Sequence, residues 1–449
     1  MPVEAAALRS HLFPDLAWVI DDLVDDRIGI IGSLEEVRSE AGAPNFFHFR
    51  ARAANTEAFT RLPNFAMSGG SSAVREVAAA KAIGEAVERY CAAVFDVADL
   101  PLTSYRKAMF PCAAPDEFTL YSDEQYDSPG FPWVPFDHDT PVRWTDGVDL
   151  ATGEHCYVPA SRVYMPYTYY LGSGEAPFDQ PISTGLACHV GSAVAIRTAI
   201  AEVVERDAFL IVWQAMMSPP RIRTETLSEA NYDLVQRFEA AGGTVVMFNI
   251  TLDTGIPTIL STLIGNNPGM TALAVAASSS VDPEQAARSS LEELALTRLY
   301  SQSMLTDAPR LTRDPPEYVS VRDQQSHLNF WTDHSALPLA EFLFASLVRI
   351  DFSEITSLAT GNAVGDVRVM VERVRAVGER VVVCDVTTDD VRELGLAVVR
   401  AVIPGFHPLH VGHQVRSLGG TRLWQVPQQL GYPGITPETG DNPTPHPYP

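Results

Sequence analysis

An α/β fold is predicted for this 449-residue chain by three observations. Runs with apolar residues at helical spacing alternate with short β-branched runs. The composition, 46% hydrophobic and 20% charged, is that of an ordinary globular protein. There is no repeat of solenoid period, and the length allows two or three packed subdomains around a large core.

In chain order, strands are predicted at Ile28 to Ile31 and around Phe46 to Arg50, and a Gly- and Ser-rich turn at Ser68 to Ser72. A helix follows over about 73–95, its buried face marked by Val77, Ala80, Ile83, Ala86, Val87 and Tyr90. Residues 101–181 are rich in Pro, Gly, Asp and aromatics, which predicts short strands and ordered loops. This region is no linker, because Trp133, Trp144, Tyr157, Tyr164 and Tyr167 need packing partners. A second helix is predicted from Ser192 to Trp213, after the turn-like STGLACHVG. Next come a helix over Leu227 to Ala241, a stop at Gly242-Gly243, and strands at Val245 to Ile250, Thr258 to Ile264 and Ala272 to Ala277. Asp282-Pro283 supplies the N-cap and first-turn residue of a further helix reaching about Tyr300. A helix at Val367 to Val377, the strand VVVCDV and the apolar run Leu396 to Ile403 complete the pattern. From Gly431 on, proline imposes an extended, polyproline-like tail ending NPTPHPYP. This reads as an N-terminal segment (1–60) packing on a catalytic domain (61–430), followed by a Pro-rich tail (431–449).

The charge balance, 32 Lys plus Arg against 56 Asp plus Glu, gives a net −24. Such a field repels nucleic-acid backbones and anionic membrane surfaces, so neither is an expected partner. MPVEAAALRSHLFPDLAW lacks the basic start and continuous apolar core of a secretory signal, and no run has the length of a membrane span. The expected compartment is the cytoplasm. Cys91, Cys112, Cys156, Cys188 and Cys384 are odd in number and contain no C-x-x-C, which argues for buried thiols rather than disulfides or a zinc site.

GEAVERYC (Gly84 to Cys91) and AEVVERDA (Ala201 to Ala208) each carry Glu-x-x-Glu-Arg within an apolar helical run. On a helix the spacing puts Glu85 beside Glu88 and Glu202 beside Glu205. One reading is a solvated stripe relieved by Arg89 and Arg206. The apolar flanks Ile200, Val203, Val204, Phe209 and Ile211 favour a second, in which four carboxylates from two facing helices form an oxygen-rich nest for Mg²⁺ and a nucleotide. A third is a carboxylate-bridged di-metal hydrolase, although neither helix carries the E-x-x-H such sites recruit.

These helices, the later VDPEQAARSSLEELALTRL, the segment VVVCDVTTDDVRELGLAVVRAVIPG and the terminal PHPYP together resemble the YcaO-domain family, from about residue 60 to the end. STGLACH, HPLHVGH (His407 to His413), LGGTRLWQVPQQLGY and NPTPHPYP are similar to its azoline-forming, streptolysin S-type cyclodehydratase branch. The resemblance implies a YcaO-like fold of several mixed α/β subdomains around a central ATP site. It implies that Glu85, Glu88, Glu202 and Glu205 hold Mg²⁺ ions bridging the phosphates of ATP, with no Walker loop. It also implies that the P-x-P-x-P end, Pro445, Pro447 and Pro449, reaches the active site, where the terminal carboxylate acts as a base or orients one. Lys81 and Arg206 are candidate phosphate contacts, Glu293 and Arg298 candidate nucleotide contacts, and His189 and His446 candidate lining residues. The chain departs from the common family pattern in having Gly70-Ser71-Ser72 for Gly-Lys-Gly, Lys81 for Ser and Leu296 for Gln.

The reaction implied is ATP-dependent closure of Cys, Ser or Thr of a ribosomal precursor peptide to thiazoline or oxazoline through phosphorylation of the backbone amide oxygen. Thioamide or amidine formation is the alternative within this chemistry, and a non-catalytic nucleotide-binding scaffold is the alternative outside it. The resemblance further implies a leader-bearing precursor, a leader-binding E1-like or winged-helix partner supplied in trans, a flavin dehydrogenase in the same pathway, and a homodimer.

Overall fold

The structure, a computed structural model, describes residues 19–60, 62–169, 172–315 and 317–449. The residues over which no secretory signal is read, up to position 18, lie outside these. The chain folds as two compact units, one from residues 1–38, 47–203 and 360–406, the other from 39–46, 204–359 and 407–449.

In the first unit, β1 (Ile31–Val37), β2 (Phe47–Ala53) and β3 (Met67–Ser72) form an antiparallel sheet in that order. Helix α1 (Arg75–Ala93) packs on β2 and β3, with the backbone of its small residues Ala78 and Ala82 close against β3. This approach explains why Ser68 to Ser72, predicted as a turn, is a strand. A Cβ on Gly70 would lie 2.2 Å from the Ala78 carbonyl oxygen, and Ser68 Oγ donates to the Ala82 carbonyl at 2.9 Å. The glycines and serines here are a packing surface rather than a reversal. The strand predicted at Ile28 to Ile31 begins only at Ile31. Ile28, 90% exposed, belongs to a turn in which Asp25 Oδ1 accepts from the backbone N–H of Arg27 and Ile28.

The Pro-rich region contributes β4 (Leu102–Thr103), β5 (Val142–Thr145) and β7 (Val158–Pro159), a small antiparallel sheet with Trp144 fully buried. A four-stranded antiparallel sheet runs in the order β6 (Val148–Asp149), β14 (Val382–Asp385), β15 (Ala397–Val402), β8 (Leu186–His189). Helix α2 (Ser192–Gln214) supplies its first half to this unit and its second half to the other. Helix α6 (Ala363–Ala376) is N-capped by Asn362.

The second unit is built on a five-stranded sheet in the order β12 (Leu273–Ser279), β11 (Thr258–Gly265), β10 (Gly243–Asn249), β9 (Arg221–Ile222), β13 (Arg349–Ile350). Only the β13–β9 pair is parallel. Every residue of β12 is buried, as expected of a strand covered on both faces. Helix α4 (Pro283–Asp307) lies on β11 and β12 and also packs on α3 (Glu229–Ala240). As the sequence indicates, Asp282 caps α4, accepting from Glu284 N–H at 3.1 Å, and Pro283 occupies its first turn. Helices α5 (Gln324–Phe330) and α7 (Thr421–Gln429) complete the unit. Beyond Gly431 the chain has no helix or strand, yet residues 444–448 are all buried. Among the described residues, no helix is long and apolar enough to cross a membrane.

Gly70→Ala forces β3 and α1 apart, because the clash is with backbone and cannot be relieved by a rotamer change. A loss of about 1–3 kcal/mol in stability is expected, read as a lowered urea midpoint with an unchanged m-value.

Candidate active site

Helices α1 and α2 are buried around most of their circumference, so their acidic residues cannot all turn to water. Hydrogen-bond donors from adjacent backbone fix the carboxylates instead. Gly69 N–H donates to Glu85 Oε2 at 2.9 Å, and Arg89 donates to Glu85 Oε1 at 3.1 Å. Glu88 Oε1 accepts from Cys188 N–H at 2.7 Å, and Glu202 Oε2 from Gly185 N–H at 3.0 Å. Gly185 has φ +86°, and a Cβ there would lie 2.3 Å from the Ala401 carbonyl oxygen. Only glycine presents its N–H to Glu202 in this way.

Glu85, Glu88 and Glu202 act on one another. Burial holds the Glu88 carboxyl well above its ordinary pKa, the charges of Glu202 and then Glu85 push it further, and the Cys188 N–H and Arg89 oppose the shift. A cluster of partly buried like charges, with Glu88 the most strongly desolvated, fits a hard divalent cation, which would relieve both the desolvation and the repulsion.

Arg400, in the middle of β15, is almost fully buried, and Glu202 attracts it. Burial lowers its pKa to about 10, and Glu202 limits the fall. Its Nη2 donates to the Ile182 carbonyl at 2.6 Å, whereas its Nε and Nη1 have no hydrogen-bond partner among the described residues. Buried guanidinium donors beside acidic groups suit a phosphate or an oxyanion.

Glu205, one turn beyond Glu202 on α2, is 7% exposed and accepts a hydrogen bond from the Tyr448 hydroxyl. The Tyr448 ring packs on Phe209 with centroids 4.4 Å apart, and the Arg206 guanidinium lies 5.4 Å from its centroid. Burial, and then the Glu205 charge, push the Tyr448 hydroxyl well above its ordinary pKa and keep it a donor. Asp207, next along α2, is buried and accepts both Nε and Nη2 of Arg422 from α7, at 2.9 and 2.7 Å. Arg422 also pairs with Asp253, and the His407 N–H donates to Asp207 at 2.8 Å. LGGTRLWQ and HPLHVGH thus anchor the second half of α2.

The proline tail is held by donors from the body of this unit. Trp213 Nε1–H donates to the Thr444 carbonyl and Trp331 Nε1–H to that of Pro445, both at 3.0 Å. His327 Nδ1 pairs with the His446 carbonyl at 2.9 Å, and Asn442 N–H donates to the Gln214 carbonyl at 2.8 Å. Prolines have no N–H to satisfy, so a buried proline tail needs donors only for its carbonyls.

The remaining candidates occupy different environments. Pro445 and Pro447 are buried, and Pro449 is partly exposed. His446 is buried, stacked on His327 at 3.9 Å and edge-on to His410 at 4.6 Å. His189 is exposed at the end of β8, and Lys81 is half-buried on α1. Glu293 is exposed on α4, where its charge is felt at Tyr448. Arg298 is buried in an ion pair with Glu40. Sequence reasoning missed Arg400, Tyr448, Asp207 and Arg422. The first had a visible signal, a lone charge within the apolar run Leu396 to Ile403; the others become informative only through their partners.

The chain matches the model of the YcaO cyclodehydratases, a family described as ATP- and Mg²⁺-binding, over residues 69–407. Among solved structures it is similar to a heterocyclase in complex with substrate and cofactor, with TM-score 0.79 and 20% identity, covering 96% of this chain and 57% of that one. It is similar to YcaO from Methanopyrus kandleri bound with AMPPCP and Mg²⁺, with TM-score 0.62 and 20% identity, covering 87% of this chain and 89% of that one. A third is the E. coli microcin synthetase McbBCD complex with pro-MccB17 bound, with TM-score 0.62 and 14% identity, covering 94% of this chain and 99% of that one. At these identities the likeness is one of fold, and the chain spans little more than half the length of the first.

Burial keeps the histidines around the tail neutral. It holds His327 at about 4, His407 at about 3 and His413 at about 2, with His410 and His446 well below the ordinary value. The unfolded chain takes up these protons near pH 6.5, while the folded chain resists them to about pH 4 or below. Stability is therefore full above pH 6.5 and declines as the pH falls from there toward 4. Urea midpoints at pH 7.5 and 5 should differ, with the lower value at pH 5, and His327→Gln should narrow the difference.

Proposed function

Because the chain belongs to the YcaO family, we propose that it is an ATP- and Mg²⁺-dependent cyclodehydratase of the azoline-forming, streptolysin S-type branch. Its substrate is then a ribosomal precursor peptide, modified in the cytoplasm at Cys, Ser or Thr. The observation that carries this reading is the partly buried cluster of Glu85, Glu88 and Glu202, each tied through one oxygen to a backbone N–H, with Glu205 one turn along the same helix.

Glu85, Glu88, Glu202 and Glu205 would hold the Mg²⁺ ions, with Arg206 and Lys81 toward phosphate. The side chain of the substrate gives up its S–H or O–H proton to a base as it attacks the preceding carbonyl carbon, leaving an oxyanion. The oxyanion takes the γ-phosphoryl group as the bond to the β-phosphate oxygen breaks. The carbon–oxygen bond then breaks with loss of phosphate, while the amide nitrogen gives up its proton and forms the C=N bond. ATP supplies the leaving group that an amide oxygen otherwise lacks. Arg400 offers buried donors to the negative charge that develops, and the backbone N–H groups keep the acidic side chains in place through the reaction. In this reading the terminal carboxylate of Pro449 accepts or directs the proton. A separate partner protein that holds the leader is part of this reading; the microcin synthetase above is a complex with pro-MccB17 bound. A dehydrogenase acting later and a homodimer are further expectations of the family.

The test is incubation of the chain, ATP, Mg²⁺, a Cys-rich precursor from the same genomic neighbourhood and the neighbouring leader-binding protein. Loss of one water per modified site is expected by mass spectrometry; exchange of oxygen for sulfur would point to thioamidation, and an unmodified peptide with no stimulated phosphate release to a scaffold. Glu202→Gln and Glu205→Gln should each lower phosphate release by about two orders of magnitude or more while leaving the melting temperature near that of the parent. Arg400→Lys should lower turnover with little change in the KM for ATP, since its unpaired donors are assigned to charge that develops only during reaction.

A further inference from the structure

The tail ends in Pro-Tyr-Pro, and the side chain between the last two prolines is committed as tightly as any in the second unit. Tyr448 is 2% exposed, its hydroxyl donates to Glu205, its ring packs on Phe209 with the Arg206 guanidinium 5.4 Å from its centroid, and its N–H donates to His446 Nδ1 at 3.3 Å. Its position is not its own choice, because the backbone from Thr444 to His446, just before it, is pinned by Trp213, Trp331 and His327. A docked tail therefore delivers one hydroxyl to one carboxylate.

From this we propose that Tyr448 is a positioning residue that couples docking of the tail to the metal-binding competence of Glu205. The inference rests on the reading of Glu205 as a Mg²⁺ ligand. With the tail in place, a hydrogen bond to a charged acceptor fixes the rotamer of a carboxylate that is otherwise a flexible three-torsion side chain. With the tail out, Glu205 loses that hydrogen bond, and fixing its carboxylate for a cation costs more at the moment of binding. Coupling of this kind is reciprocal: bound Mg²⁺–nucleotide must hold the tail as firmly as the tail helps Mg²⁺–nucleotide to bind. The tail is then a sensor of nucleotide state as well as a wall of the active site.

Tyr448→Phe removes the hydroxyl and keeps the ring. Calorimetric titration of the full chain with a non-hydrolysable ATP analogue should show about tenfold weaker binding in the presence of Mg²⁺ and an unchanged affinity in its absence. In the parent, the Mg²⁺-bound analogue should slow hydrogen exchange of residues 442–448, and in the variant it should not. Phe209→Leu, which loosens the ring packing but retains the hydroxyl, should keep the Mg²⁺ dependence. Tyr448→Phe combined with Glu205→Gln should bind no more weakly than Glu205→Gln alone. A Tyr448→Phe protein with the parent's Mg²⁺-dependent affinity, an effect that adds to that of Glu205→Gln, or an equal loss in Phe209→Leu would each overturn the inference and leave the proposed function standing. A parent protein that does not bind the Mg²⁺–nucleotide at all would overturn both.

Discussion

Like charge held partly out of water between packed elements is the constraint on which the rest of this structure depends. Glu85, Glu88 and Glu202 come from helices whose other faces are apolar and buried, and Glu88 is raised well above the ordinary carboxylate range by burial and by its two acidic neighbours. An interior of this kind is stable only if every carboxylate is anchored and the excess charge has something to meet. The anchors are backbone N–H groups from Gly69, Gly185 and Cys188, so the loops and strands around the helices are shaped by the need to supply them. Gly185, confined to a positive φ against the Ala401 carbonyl, is the plainest case.

The same logic runs through the second unit with different chemistry. Asp207 is buried next to the acidic pair, and Arg422 meets it with a two-pronged contact while also engaging Asp253. Glu205 is met by a tail tyrosine, and the tail by two tryptophans and a histidine. One helix thus carries three consecutive acidic commitments: Glu202 to a glycine N–H, Glu205 to the C-terminal tail, and Asp207 to α7. A long helix whose second half is largely buried is well suited to this, because its rigid backbone holds the three groups at fixed spacing.

The buried prolines at 445 and 447 and the neutral histidines around them fit one economy of polar groups. A polyproline segment buries no N–H of its own at each proline, and the indole and imidazole donors that meet its carbonyls stay uncharged at neutral pH. A basic groove would have held an acidic tail more strongly, but at the expense of charge in an interior already crowded with it.

Much of the fold was legible in the chain. The helices at 75–93, 192–214 and 283–307 follow from apolar spacing and from the Asp282-Pro283 cap, and the strands of the central sheets from β-branched runs. The Glu-x-x-Glu pairs, the lone Arg400 in an apolar strand and the proline-spaced tail are all local patterns that one sequence can display. What the sequence could not decide was local meaning that depends on distant partners. Ser68 to Ser72 has the composition of a turn and is a strand, because the neighbouring alanine face of α1 leaves no room for side chains. Tyr448 is an unremarkable aromatic until a tail 243 residues from Glu205 folds back to meet it. Periodicity and caps act over a few residues, and a chain reveals them directly. Burial, close approach and the pairing of charges are properties of three-dimensional neighbours, and only the tertiary structure sets those.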